Sequence, residues 1–194
     1  MKGEYNMKKV IIISIVAIIV VAAIIGVVML NAAPKTNLAP ITSAEDLSAL
    51  VDKVYEGRED TLPSLMTMPI DLTDADSVNA MTGLENGDNL DYLVVSEPMI
   101  NAQAYSFVLA KVKDGVNANE VAKTMSENIN TRKWICVSAE KLYATSSGDV
   151  VCLVMSSEEM AKPVYEKFKE LAGTVGQEYE KTEEAVELPD DMVY

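Results

Sequence analysis

Apolar positions follow two different patterns along this chain. Val10 to Leu30 reads VIIISIVAIIVVAAIIGVVML, 21 residues with no charge and one serine. A helix rising about 1.5 Å per residue would carry this stretch across the roughly 30 Å hydrocarbon core of a bilayer. A helix packed on a globular core would show a polar stripe, and this one has none. The run is longer than the apolar stretch of a cleaved signal peptide. Its best cleavage point, after Ala33, puts Asn31 where a small residue belongs and Pro34 just beyond the cut. The pattern therefore predicts a retained transmembrane anchor over 10–30. Lys2, Lys8 and Lys9 precede it and only Lys35 follows closely. That asymmetry puts 1–9 in the cytoplasm and the rest outside.

After the anchor the apolar positions become periodic. Residues 31–41, NAAPKTNLAPI, read as an extended spacer. Thr42 and Glu45 have capping-box spacing, Leu47, Leu50, Val51 and Val54 recur at helical spacing, and Gly57 is placed as a stop. These predict an amphipathic helix over 43–56. LMTMPID at 65–71 reads as an edge strand, because Pro69 cannot donate to a ladder. A short helix at 74–82 and a turn at 85–89 follow. Tyr92–Val95 and the alternating Tyr105, Phe107 and Leu109 read as strands, closed by the turn Lys113-Asp114-Gly115. Asn117 and Glu120 mark another helix start, with Ala118, Val121, Met125 and Ile129 on its apolar face. Trp134–Val137 reads as a short strand. Lys141–Ser146 and Val150–Met155 flank Ser147-Gly148 as a hairpin, and VVCLVM is apolar on both faces, as a covered central strand is. Ser156 and Glu159 cap a last helix, with Met160, Val164, Phe168 and Leu171 inward, kinked or restarted at Pro163 and ended by Gly173. Residues 173–194 hold seven acids and one lysine and read as a disordered acidic tail. The fold class expected is α+β, an antiparallel sheet of about five short strands with helices packed on it, over 42–172.

Charge narrows the function. The chain carries a formal net charge of −14, and the residues after Leu30 hold 13 basic and 29 acidic side chains. Such a domain repels phosphate backbones, so nucleic acid is not expected as a partner. There is no histidine. That excludes a Ser-His-Asp triad, a Cys-His pair and a histidine zinc site within the chain. Two cysteines, Cys136 and Cys152, are too few for a thiolate zinc site.

Four further constellations carry possible chemistry. Ser138-Ala-Glu-Lys141 fits S-x-x-K, but it lies between predicted strands, where the two side chains diverge, and its companion motifs are missing. Asp74, Asp76 and Glu85 occupy positions 1, 3 and 12 of a calcium loop, yet Val78 and Asn79 stand where an oxygen ligand and a glycine belong. Looser cation binding by Glu85, Asn86, Asp88, Asn89 and Asp91 competes with the plainer reading of a polar turn. A disulfide is permitted outside the cytoplasm. A hairpin centred on Ser147-Gly148 sets Cys152 opposite Tyr143, with Cys136 about 23 Å beyond if extended, so two buried thiols are expected. Trp134 and Tyr105 would line a ligand groove or belong to the core; the core is favoured. No catalytic, cofactor-binding or metal-binding residue is assigned.

The helix SAEDLSALVDKVYEG, the strand pair LDYLVVSEPMINAQAYSFVLAKVKDG, the tryptophan of NTRKW and the strand SGDVVCLVMSSE together resemble the bacterial domain-of-unknown-function family 4358. The resemblance runs from 43 to 172. It implies a membrane- or lipid-anchored extracytoplasmic protein and carries no activity. Lipid-anchored members have an N-terminal cysteine that this chain lacks. The function expected is a non-enzymatic binding or interaction module of the cell envelope, held through Val10 to Leu30, with an envelope protein or a cation as partner. The alternative is a carboxylate-dependent envelope hydrolase.

Overall fold

The computed structural model describes residues 36–58, 61–99 and 103–183. The chain divides into two compact units, Met1–Ala32 and Ala33–Tyr194. The described residues all belong to the second unit, so the expected anchor lies outside them. Among the described residues no helix is long and apolar enough to cross a membrane.

The order of elements is α1 (Ala44–Tyr55), β1 (Leu65–Pro69), α2 (Ala75–Thr82), β2 (Leu90–Pro98), β3 (Ser106–Val112), α3 (Ala118–Asn128), β4 (Lys141–Ser147), β5 (Val150–Ser156), α4 (Glu158–Ala172) and β6 (Tyr179–Thr182). The strands form one antiparallel sheet in the order β1-β2-β3-β5-β4-β6. The α+β class is as expected, with one strand more. α3 carries the chain from β3 to β4, and the β4–β5 hairpin then returns β5 into the space between them.

Both faces of this sheet are covered. Side chains alternate along a strand, so a strand buried on both sides must be apolar at every position. β3 and β5 are buried at every position, apolar except at Ser106, Lys111 and Ser156, and lie side by side in the middle. Phe107, Leu109, Cys152 and Val154 point to one face, under α1 and α4. Val108, Ala110, Val151 and Leu153 point to the other, under α2 and α3. Each of the Val, Leu and Phe side chains among them stabilises by roughly 1.5–3 kcal/mol on burial.

The helix ends differ in detail from expectation. Ser43, not Thr42, caps α1: its hydroxyl accepts from the Asp46 N–H, while Thr42 donates twice to the Asp46 carboxylate. Asp74 caps α2 and Asn117 caps α3. α4 runs through Pro163 as one helix rather than restarting there.

Three larger expectations need correction. The spacer reading stops at the described residues: the Asn37 N–H donates to the Ala172 carbonyl at 2.9 Å and Ile41 is buried under α1 and α4, so 36–41 belong to the domain. Trp134–Val137 is not a strand. Cys136 has φ 62, a left-handed backbone incompatible with extension, and the Ala139 N–H closes the loop onto the Thr131 carbonyl. The acidic tail is not disordered from 173. Residues 173–183 cross the end of the sheet and add β6 beside β4. Residues 184–194 lie outside the described set.

Candidate functional site

The two edges of the sheet are built differently. At β1 the Ile70 N–H donates to the Leu93 carbonyl. Antiparallel alternation then turns Met66 and Met68 toward β2, and Leu65, Thr67 and Pro69 outward. Proline thus stands at an outward position and removes one of the few free donors there.

At β6 the Glu183 N–H donates to the Glu140 carbonyl, so Tyr179 and Lys181 exchange bonds with β4. The peptide groups of Glu180 and Thr182 point away from the sheet and have no backbone partner among the described residues. A groove of about 540 Å³ runs beside this edge, lined by Ser126 and Glu127 of α3 and by Glu178, Tyr179, Glu180 and Lys181.

β6 and the crossing before it are held largely by polar side chains, with Tyr179 and Val175 packed on the two cores. Asn119, in the first turn of α3, accepts at Oδ1 from the Ser146 hydroxyl at 2.9 Å and from the Gln177 N–H at 3.0 Å. Ser147 donates to the Thr174 carbonyl, Thr145 to the Gln177 carbonyl, and the Gly176 N–H to the Ser146 carbonyl. A Cβ at Gly176 would lie 1.9 Å from Asn119 Oδ1, so only glycine fits this crossing. Glu178 accepts from Lys169 at 2.9 Å and from the Tyr165 hydroxyl at 3.0 Å. The Lys169 bond holds the Glu178 carboxyl below its usual range.

A second charged constellation sits near β1. Lys133 Nζ lies 2.5 Å from Glu97 Oε1, which has no other partner among the described residues, and both side chains are largely buried, at 12% and 16% exposure. The same ammonium is 3.4 Å from Ser106 Oγ, 3.5 Å from Met81 Sδ and 5.5 Å from the centre of the Trp134 ring. Burial pushes the Lys133 pKa down, and the charge of Glu97 opposes that shift. An amine covered in this way ties the irregular segment after α3 to the end of β2.

The residues singled out in the sequence are not brought together. Ser138 is in the irregular segment, while Lys141 donates to Glu180 at 2.6 Å and to Thr182 at 2.8 Å. The Glu180 bond raises the Lys141 pKa, so the amine is held protonated and is no general base. Asp74 and Asp76 stand at the start of α2, whereas Glu85 follows its end, about 12 Å away along the helix axis. In the polar turn, Lys113 donates to the Asp88 carbonyl at 2.7 Å, and Lys111 pairs with Asp91 and Asp149. Among the described residues no group of three or more acidic or thiol side chains converges for a metal ion.

The cysteines are both free, and only one is buried. Cys152 lies opposite Thr145, not Tyr143, because the two-residue turn is Gly148-Asp149, with Gly148 at φ 59. Cys136 is exposed, which corrects the expectation of two buried thiols. Trp134 and Tyr105 are both core and lie on opposite faces of the sheet, so no groove joins them. Tyr105 donates to the Tyr55 hydroxyl at 3.0 Å.

Sequence reading missed Asn119, Gly176, Glu97 and Lys133. The polar run Thr145-Ser146-Ser147, fully buried in β4, was the available signal: buried hydroxyls require partners from another segment. No family model matches the chain, and neither a curated protein nor a solved structure does.

Proposed function

We propose that this is a membrane-anchored, extracytoplasmic binding or interaction module of a bacterial cell envelope, and that it acts without catalysing a reaction. The observation that carries this reading is how the titratable groups are used. Lys111, Lys133, Lys141 and Lys169 each hold carboxylates in structural ion pairs, and the candidate acids Asp74 and Asp91 cap a helix or pair with an amine. With both sheet faces covered by helices, edges and loops remain for contact with other molecules. The apolar run at Val10 to Leu30, the lysine asymmetry around it and the resemblance to family 4358 support the location.

The direct test presents the purified full-length chain in detergent with envelope glycans and peptides. Retention of a component without turnover is the expected outcome. Turnover abolished by one carboxylate substitution would sink the proposal. The groove lined by Glu85, Asp88 and Glu120 favours a second reading, a carboxylate-dependent hydrolase, and makes Glu120→Gln the substitution to try. Location is tested by protease treatment of intact cells, where digestion of the domain only after lysis would contradict the orientation.

A further inference from the structure

We infer that the exposed Asn86 is a self-modification site. The backbone nitrogen of Gly87 closes onto its side-chain amide as a succinimide, and water opens the ring to aspartate or isoaspartate. The inference does not depend on whether the domain binds a partner or catalyses a reaction.

Asn86-Gly87 is the one Asn-Gly pair in the chain, and it lies in the turn between α2 and β2. The attacking nitrogen is free: the Gly87 N–H makes no hydrogen bond among the described residues. The nitrogens that follow Asn89 and Asn128 are engaged, since Leu90 donates to the Gly87 carbonyl and Ile129 to the Met125 carbonyl. The attacked group is held in place. Asn86 Oδ1 accepts the Asp88 N–H at 3.0 Å, so a donor already faces the oxygen on which negative charge develops. The attacking residue has no side chain, and packing keeps it so. A Cβ at Gly87 would lie 2.7 Å from the Leu72 carbonyl oxygen and 2.9 Å from Leu72 Cβ, contacts that only glycine avoids. The fold therefore requires the residue that makes Asn86 labile.

Asn130 supplies an internal comparison. It is also exposed, and its Oδ1 accepts the Arg132 N–H at 2.9 Å, the same bond to the residue two positions on. The residue between is Thr131, whose branched and stiff side chain crowds the nitrogen that would attack.

The chemistry balances without an oxidant or a cofactor. The Gly87 nitrogen gives its proton to a base in the solvent and bonds to Asn86 Cγ. The Cγ–Nδ2 bond breaks, and the amide nitrogen takes up a proton and leaves as ammonia. Water then adds to one of the two ring carbonyls. Addition at Cγ restores the peptide as aspartate. Addition at the main-chain carbonyl leaves Gly87 joined through Cγ, as isoaspartate. Either product turns a neutral amide into a carboxylate in the groove that Glu85, Asp88 and Glu120 already line. Isoaspartate also lengthens the main chain just before Gly87, whose carbonyl accepts the first N–H of β2.

The experiment incubates the full-length chain in detergent at neutral pH. Peptide mass spectrometry follows each asparagine, with isoaspartate resolved from aspartate. Asn86 is expected to convert at least about tenfold faster than Asn130, a barrier difference of about 1.4 kcal/mol. Asp88→Pro removes the N–H that faces Oδ1 and leaves Asn86-Gly87 in place. It should slow conversion about tenfold, less than the hundredfold or more lost with a donor in a water-excluded oxyanion hole. Asp88→Asn keeps the N–H and should convert at the parent's rate.

The inference is overturned if Asn86 converts no faster than Asn130, a comparison that needs no variant. It is overturned equally if aspartate forms without isoaspartate, because direct hydrolysis of the amide gives only aspartate. Asp88→Pro converting as fast as the parent, or Asp88→Asn slowing as much as Asp88→Pro, would remove the Asp88 N–H from the account and sink the geometry on which it rests.

Discussion

β1 and β6 close the two ends of one sheet, and they do so by opposite means. β1 carries its own protection: Pro69 sits at an outward position, and Met66 and Met68 turn their peptide groups inward to β2. β6 has no proline and is guarded only by its shortness and its charged Glu180 and Lys181, and its position is set by residues far from it in the chain. Asn119 of α3, Ser146 and Ser147 of β4 and Lys169 of α4 all contribute to placing residues 174–178, from which β6 follows. An edge closed by its own residues serves the fold alone. An edge placed by its neighbours depends on contacts made elsewhere in the chain.

The largest test of this contrast lies beside β1. Removing one partner of the buried Lys133–Glu97 pair leaves a charge shielded from water. Glu97→Ala or Lys133→Ala should each cost about 3–5 kcal/mol in chemical denaturation. The double variant Lys133→Met with Glu97→Leu replaces the pair with apolar volume and should recover most of that loss. Single variants costing less than about 1 kcal/mol would mean that water reaches the pair and that it is not a buried joint.

At the other edge the expected losses are smaller and local. Gly176→Ala forces the new methyl group against Asn119, and overpacking of this kind costs about 1–3 kcal/mol. Asn119→Ala strands the Ser146 hydroxyl and the Gln177 amide, at a similar cost. In both variants amide exchange should accelerate over 174–182 and stay unchanged in β1. Equal acceleration at the two edges would show that β6 is not held separately, and the contrast would fail.

The same contrast explains what could be read in advance. β1 and the apolar runs of β3 and β5 are written within a few neighbouring residues, so local rules recover them, while the caps of α1 and α4 fall at Ser43 and Ser157, one residue beyond the Thr42 and Ser156 that the spacing indicates. Pro69 alone identifies its strand as an edge. β6 has no such signal: YEKT has little apolar character, and its composition matches a solvated tail. What orders it is long-range hydrogen bonding, with Asn119 reaching Gln177 across 58 positions. The irregular segment at Trp134 was misread for a related reason. Its residue types favour a strand, but the left-handed Cys136 and the Lys133–Glu97 pair bend it onto the end of the sheet. The hairpin register was off by one turn position because Ser147-Gly148 and Gly148-Asp149 are equally good turn signals, and only the observed pairing separates them.

Restoring the donor at β1 sharpens the comparison further. Pro69→Val adds an outward N–H to an edge strand that is otherwise unchanged. Folding stability should move by no more than about 0.5 kcal/mol, as for other exposed substitutions. Self-association should rise with protein concentration in sedimentation, because β1 carries no charge to repel a second copy. If the variant stays as monomeric as its parent, Pro69 is not what guards this edge.

The smallest effect expected is a dependence on pH that is larger at β6 than at β1. Lys169 holds the Glu178 carboxyl, and Lys181 the Glu183 carboxyl, below the ordinary 4.5. A carboxyl with a depressed pKa in the folded state stabilises that state above 4.5 and loses the contribution as pH falls through its folded value. Both groups lie on or beside β6, whereas β1 carries no titratable side chain. Acidification below 4.5 should therefore loosen β6 before β1. Amide exchange compared at Tyr179–Thr182 and at Leu65–Met68, corrected for the intrinsic effect of pH, reads the difference directly. The Glu178 carboxylate is half exposed to solvent, so salt should reduce its part of the effect at constant pH. A pH response shared equally by both strands would assign it to the whole fold and remove electrostatics from the account of what places β6.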